Sequence, residues 1–302
     1  MELKFWGVRG SIPVPGKETL CFGGNTSCVE VRTNKDTLII LDCGTGFRLL
    51  GADLMKRGDP SQLKGYIFIT HAHWDHIQGI PFFAPFFTPG THWNIYGPKG
   101  VSNTIKEALS GKIQSSFFPI KLRDFGATVE FHELTEGAHD FEDFTIITKY
   151  LNNHSLTLGY RIEADNASLT YAANHEPYMD LGESFVTAEN FHPSNILPQE
   201  EKHLEFLRNS DLVIHDSPYT NEEYIKRKQW GHGTFDYVLY ACCRAQVKRV
   251  AFYHHDPTRS EGELKKIIES TEKKIREEKL NIEVFAAQEG TTIKLDSQKQ
   301  KK

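Results

Sequence analysis

Short apolar runs rich in β-branched residues punctuate the chain, each bounded by Gly, Asn or Asp. In the first half they span Ser27 to Arg32, Thr37 to Asp42, Tyr66 to Thr70, Trp93 to Tyr96 and Phe144 to Leu151. That pattern predicts strands. The second half repeats it in Ser168 to Ala172, Leu212 to His215, Arg249 to Tyr253, Asn281 to Ala286 and Thr291 to Leu295. Amphipathic stretches predict helices over Gly51 to Arg57, Val101 to Ser110, Pro198 to Asn209, Phe235 to Ala245 and Ser260 to Lys279. Strands outnumber helices and the two interleave, so layered sheets with helices outside, an α/β architecture, are expected. No Pro/Gly/Ser-rich linker interrupts the pattern. Residues 1–296 therefore read as one domain, and residues 297–302 as a polar tail exposed to solvent.

Composition narrows the picture only slightly. Hydrophobic residues make up 39% and charged residues 25% of the 302, the usual balance of a globular protein. A net charge of −5, with both signs scattered, offers no basic field for counterion release, so large nucleic acids are disfavoured as partners. The start Met1-Glu2-Leu3-Lys4-Phe5-Trp6-Gly7 lacks the cationic and apolar regions of a secretory signal, and no stretch reads as a membrane span. Five cysteines, without a CxxC pair, suit small buried apolar positions in a reducing cytoplasm.

The chemistry concentrates in one segment. Tyr66-Ile67-Phe68-Ile69-Thr70 runs directly into His71-Ala72-His73-Trp74-Asp75-His76, clustering four metal-capable side chains where a strand ends. In extended backbone, residues two apart point to the same side, so His71 and His73 can offer both imidazoles to one cation. Asp75 and His76, on the following turn, are placed to serve a second cation nearby, as in two-metal hydrolases.

The HxHxDH segment resembles that of the metallo-β-lactamase superfamily, and further segments follow that family's order over nearly the whole chain. Leu38 to Gly46 resembles the strand ending in Asp-x-Gly that precedes the histidine motif, with Asp42 buttressing the site. Asn153-His154 before Leu158-Gly159-Tyr160-Arg161-Ile162 matches the place of a third histidine, which the resemblance assigns to His154. After Val250 to Tyr253 two histidines, His254 and His255, compete to be the last ligand. Adjacent strand residues face opposite ways, so only one should reach the metal, and the resemblance to phosphodiesterases that place an arginine four residues past the ligand favours His255 through its spacing to Arg259. One departure stands out: where the family places an Asp that bridges both metals, Leu169 to Pro177 carries Asn174, a neutral amide and a poor bridge between cations.

Leu212-Val213-Ile214-His215-Asp216 and Trp230-Gly231-His232-Gly233-Thr234 are similar to paired motifs of the superfamily's phosphodiesterase branch. The resemblance implies an αββα sandwich of two mixed sheets with helices outside and two divalent metal ions, zinc by default, with manganese or iron as alternatives. It also implies His232 as general acid, oriented by Asp216, and Asp75 as both ligand and proton acceptor. The implied reaction is metal-dependent hydrolysis of a small cyclic phosphodiester, a cyclic nucleotide for instance, by a protein often dimeric in this branch. A tRNA 3′-processing endonuclease is the runner-up, disfavoured because Gly97 to Tyr150 shows no basic arm. A weakened enzyme that only binds metal or nucleotide is the third reading, made credible by Asn174.

Overall fold

The computed structural model describes residues 1–100, 107, 124–178 and 196–295 of the chain. Fourteen strands among them form two seven-stranded sheets. The first contains β1 (Glu2–Gly7), β2 (Cys28–Arg32), β3 (Leu38–Leu41), β4 (Lys64–Phe68), β5 (His92–Pro98), β6 (Thr128–Leu134) and, from the far end of the chain, β14 (Thr292–Lys294). The second contains β7 (Gly137–Asp140), β8 (Thr145–Tyr150), β9 (Leu158–Ala164), β10 (Ala167–Ala172), β11 (Leu212–Asp216), β12 (Arg249–Tyr253) and β13 (Glu283–Ala286). Their spatial orders are β14-β1-β2-β3-β4-β5-β6 and β13-β12-β11-β10-β9-β8-β7. Neighbours are antiparallel from β14 to β3 and parallel from β3 to β6. The second sheet repeats this succession, antiparallel from β7 to β10 and parallel from β10 to β13.

Alternating side chains sort each strand into two cores. In β3, Ile39 and Leu41 face the space between the sheets, where they meet Tyr160, Leu169 and Tyr171 of the other sheet. Leu38 and Ile40 face outward onto Phe47, Leu50 and Leu54 of helix α1 (Gly46–Leu54) and onto Phe83 and Phe86. The outer face of the second sheet is covered by α3 (Pro198–Leu207), α5 (Phe235–Arg244) and α6 (Glu261–Glu278). Between these in the chain lie the short helices α2 (Trp74–Ile77) and α4 (Asn221–Ile225). The ends of α6 follow from local chemistry. Ser260 and Glu263 form a capping box at its start, and Lys279 adopts a left-handed conformation (φ 53°) that stops it.

The expected sandwich with outer helices is the observed one. α1 begins five residues earlier than its expected start at Gly51, because Phe47 belongs to the same buried stripe as Leu50 and Leu54. Strands β1, β6, β7 and β9 were not among the expected ones. β6 and β7 are edge strands with few buried residues, so they lack the apolar runs that mark central strands. The helix expected over Val101 to Ser110 falls where only residue 107 is described, and the tail 297–302 lies outside the described residues. Within the described residues no helix is long and apolar enough to cross a membrane.

Candidate metal centre and acid dyad

The site forms along the carboxyl ends of the parallel strands in both sheets, the usual place for side chains in an open parallel sheet to converge. Three residues there hold positive φ: Asp42 after β3 (59°), Asn174 after β10 (62°) and His254 after β12 (58°). Asp, Asn and His are the non-glycine residues that tolerate this region best, and each position costs of order 1–3 kcal/mol. Such turns bend the side chain away from the course its strand would dictate.

Asp75, His76 and His254 bring their ligand atoms into one triangle. Asp75 Oδ2 lies 3.0 Å from His254 Nε2 and 3.4 Å from His76 Nε2, and the two imidazole nitrogens are 3.3 Å apart. All three residues are buried. A tetrahedral ion with bonds of about 2.0–2.1 Å sets its ligand atoms about 3.3–3.4 Å apart, so the triangle is sized for a divalent cation. The surroundings hold it in that form. Asp42 accepts from His76 Nδ1 at 2.7 Å, which leaves Nε2 to face the cluster, and the Ser11 backbone N–H donates to Asp75 Oδ2 at 2.8 Å. Asp42 is itself fixed by Tyr171 Oη and by the N–H and hydroxyl of Thr70. Burial opposes charge on His76, but the carboxylates of Asp75 and Asp42 outweigh it and push the imidazole up to about 9. Burial likewise opposes charge on Asp75, yet His76 and His254 hold it far below the usual carboxylate range.

His71 and His73 stand next to this triangle but are engaged differently. Thr70 Oγ1 donates to Asp42, so His71 Nδ1 donates to that hydroxyl at 3.0 Å and His71 Nε2 is left as an acceptor. Asn174 Nδ2 lies 3.3 Å from it and supplies the proton. His73 Nε2 lies 2.5 Å from Ser155 Oγ. Burial and the neighbouring histidines lower the His71 and His73 pKa, which keeps both rings neutral. Asn174 is buried, and its Oδ1 has no hydrogen-bond partner among the described residues.

Two expected ligands lie elsewhere. His154 is exposed and its Nε2 contacts the carbonyl of Gln229. Its neighbour Asn153 turns toward the site, donating to the carbonyls of Asn174 and Gly231. His255 is buried away from the triangle, with Nε2 2.9 Å from the Ala287 carbonyl. Its backbone pairs instead with the N-terminal segment, through Val8 and Gly10. Burial takes the His255 imidazole down to about 3, despite the Ala287 carbonyl and with Arg9 adding to the shift. The spacing to Arg259 favoured His255, whereas both histidines lie beyond β12 and His254, which has left the extended conformation, is the one that faces the triangle. Arg259 is also tied up, donating to Glu223 and to the Pro218 carbonyl.

The expected dyad does assemble. His232 Nδ1 is 2.9 Å from Asp216 Oδ2, and Asp216 Oδ1 accepts from the His175 N–H at 2.9 Å. Burial opposes charge on Asp216, but hydrogen bonds from His215 and His232 overcome it and keep the carboxyl well below its ordinary pKa. The loop before His232 is pinned by Glu176, whose carboxylate accepts from the N–H groups of Gln229 and Gly231. Gly231 has φ 83°, and a Cβ there would fall 2.5 Å from Asn153 Nδ2, so this turn needs glycine. The His232 ring centroid lies 5.0 Å from that of His254, which sets the dyad beside the triangle. Sequence reasoning overlooked Ser155, Thr70 and the Ser11 backbone, since hydroxyls and amides in loops carry no pattern.

The description Beta-lactamase superfamily domain matches residues 37–255, a span that contains every side chain of the triangle and the dyad. The chain belongs to this superfamily. Among its relatives, the ribonuclease Z of Staphylococcus carnosus is 24% identical over 285 residues, covering 84% of this chain and 88% of that protein. Among solved structures, the metallo-β-lactamase fold protein YhfI of Bacillus subtilis superposes with a TM-score of 0.66 at 15% identity, over 97% of this chain and 98% of that one. Unliganded PDE1 of yeast superposes at 0.64 and 13% identity, over 97% and 99%. These likenesses establish the metallo-β-lactamase fold.

Proposed function

We propose that the chain is a metal-dependent phosphodiester hydrolase. The observation that carries this reading is the His232–Asp216 dyad standing beside the Asp75–His76–His254 triangle, an acid and a cation site within reach of one small group. A divalent cation held by the triangle supplies Lewis acidity and a nucleophilic water near neutral pH. Asp216 ties His232 through Nδ1, so Nε2 is the nitrogen left to carry a proton to a departing oxygen. Asp75 serves as ligand and, through its second oxygen, as an acceptor for the proton of an attacking water.

For the substrate, the similarity to ribonuclease Z over most of both chains supports an RNA phosphodiester. That ranks the runner-up of the sequence analysis, a tRNA 3′-processing activity, above the small cyclic phosphodiester. The cyclic reading rests on the lack of a basic arm in the sequence from Gly97 to Tyr150 and on the net charge of −5, which gives a polyanion little general attraction. The test is a panel on the purified, metal-loaded protein: a tRNA precursor with a 3′ trailer, cyclic mononucleotides and a chromogenic diester. Cleavage of the precursor at its 3′ end is the expected result. Turnover confined to cyclic nucleotides restores the other ranking, and a metal-loaded protein that opens no diester removes the hydrolase reading.

A further inference from the structure

The two-metal expectation meets a site whose halves differ. The Asp75–His76–His254 half has a carboxylate, two imidazoles and the spacing of a cation's ligand shell. The His71–His73 half has no carboxylate of its own, since Asn174 stands where a bridging anion would be needed. Its third expected imidazole, His154, faces solvent and the Gln229 carbonyl. The two nitrogens that face this half have neutral polar neighbours, Asn174 Nδ2 at 3.3 Å and Ser155 Oγ at 2.5 Å, where those of the triangle have a carboxylate. An N–H or O–H placed on an imidazole lone pair does for that nitrogen what a metal would do, without adding charge.

We propose that the chain binds a single divalent cation, on Asp75 Oδ2, His76 Nε2 and His254 Nε2, and that Asn174 and Ser155 hold His71 and His73 as a neutral, metal-free imidazole pair. Electrostatics favours this arrangement. Two divalent cations a few ångströms apart repel strongly, and in two-metal sites a shared carboxylate offsets that repulsion. The Asn174 amide contributes no such charge, while the single ion of the triangle has Asp75 in contact and Asp42 behind His76. His71 and His73 then serve as walls of the site, positioned by hydrogen bonds rather than by an ion. This inference rests on the metal dependence proposed above, but it is read without turnover.

The experiment is elemental analysis of the full chain after equilibration with excess zinc or manganese and dialysis, with the fold of each variant checked by circular dichroism. One ion per chain is expected, falling toward zero in His76→Ala and unchanged in His71→Ala. Asn174→Asp paired with Ser155→Ala frees both imidazole nitrogens and adds the missing charge, so it should bring the content toward two. Cobalt substitution offers a second readout: the visible absorption of the wild-type ion should shift in His254→Ala and stay the same in His71→Ala. Two ions in the wild type, none, or one ion that disappears with His71 and survives the loss of His76 would overturn the proposal. A chain that holds one ion on the triangle yet hydrolyses no diester keeps this inference and drops the function proposed above.

Discussion

The adjacent histidines after β12 allow a crossed test, because the structure gives them opposite surroundings. His254 offers Nε2 to a triangle whose other corners are 3.0 and 3.3 Å away, whereas His255 Nε2 binds a backbone carbonyl at 2.9 Å. Replacing a residue that merely supports a metal ligand costs about 10–100-fold in affinity. Removing a ligand should cost at least the upper end of that range, so His254→Ala should weaken zinc binding by about 100-fold or more. At about 1.4 kcal/mol per decade this is a loss of about 2.8 kcal/mol. His255→Ala should act on folding instead. It leaves a buried carbonyl without its donor, at a cost of about 1–3 kcal/mol, and opens a cavity against Phe22. Competition with a chromogenic chelator reads the first quantity, and thermal unfolding of the metal-free protein reads the second. His255→Ala should melt several degrees lower with its metal affinity intact. The opposite pattern, affinity lost in His255→Ala and kept in His254→Ala, would refute the reasoning about the left-handed turn.

Three further outcomes are expected. His232→Ala should slow hydrolysis of a diester with a poor leaving group by about 10² or more while sparing a nitrophenyl diester, and equal losses on both would remove its role as acid. Asp42→Asn should reduce metal affinity by about 10–100-fold, because His76 loses the partner that aims Nε2 inward; an unchanged binding isotherm would show that Asp42 only caps its turn. In chelator-treated protein His76 is raised to about 9, against about 6.5 in an unfolded chain. A pKa raised by folding contributes stability that is complete below 6.5 and fades as pH climbs through 9. The melting temperature of the metal-free form should therefore fall across that interval, and Asp42→Asn should flatten the fall.

Much of this was legible in the sequence, for identifiable reasons. The central strands announce themselves because both their faces are buried, as in β3 and β11, where every residue is apolar or at the site. His71, His73, Asp75 and His76 are readable because their spacing is local, fixed by one strand end and one turn. The dyad was readable for a similar reason, each member following its own recognisable segment. What escaped depends on backbone turns that a pattern of side chains does not encode. His154 and Asn153 differ by one position in a loop, and His254 and His255 by one position after a strand, and in each case a local twist decides which neighbour faces inward. Ser155 and Thr70 escaped because a hydroxyl acquires a role only when folding sets it against an imidazole.

The two sheets share one succession of neighbours, four antiparallel strands followed by three parallel pairings, so β3 and β10 occupy the same place in their respective ladders. Asp42 and Asn174 follow them with nearly identical positive φ, one backbone solution used at the same place in both ladders. Chemistry breaks that symmetry. The first sheet contributes Asp42 and Asp75 with the imidazoles of His71, His73 and His76, while the second contributes the Asn174 amide, His254 and the His232–Asp216 pair. Because Asp75 and His76 come from one ladder and His254 from the other, the triangle exists only where the two sheets meet.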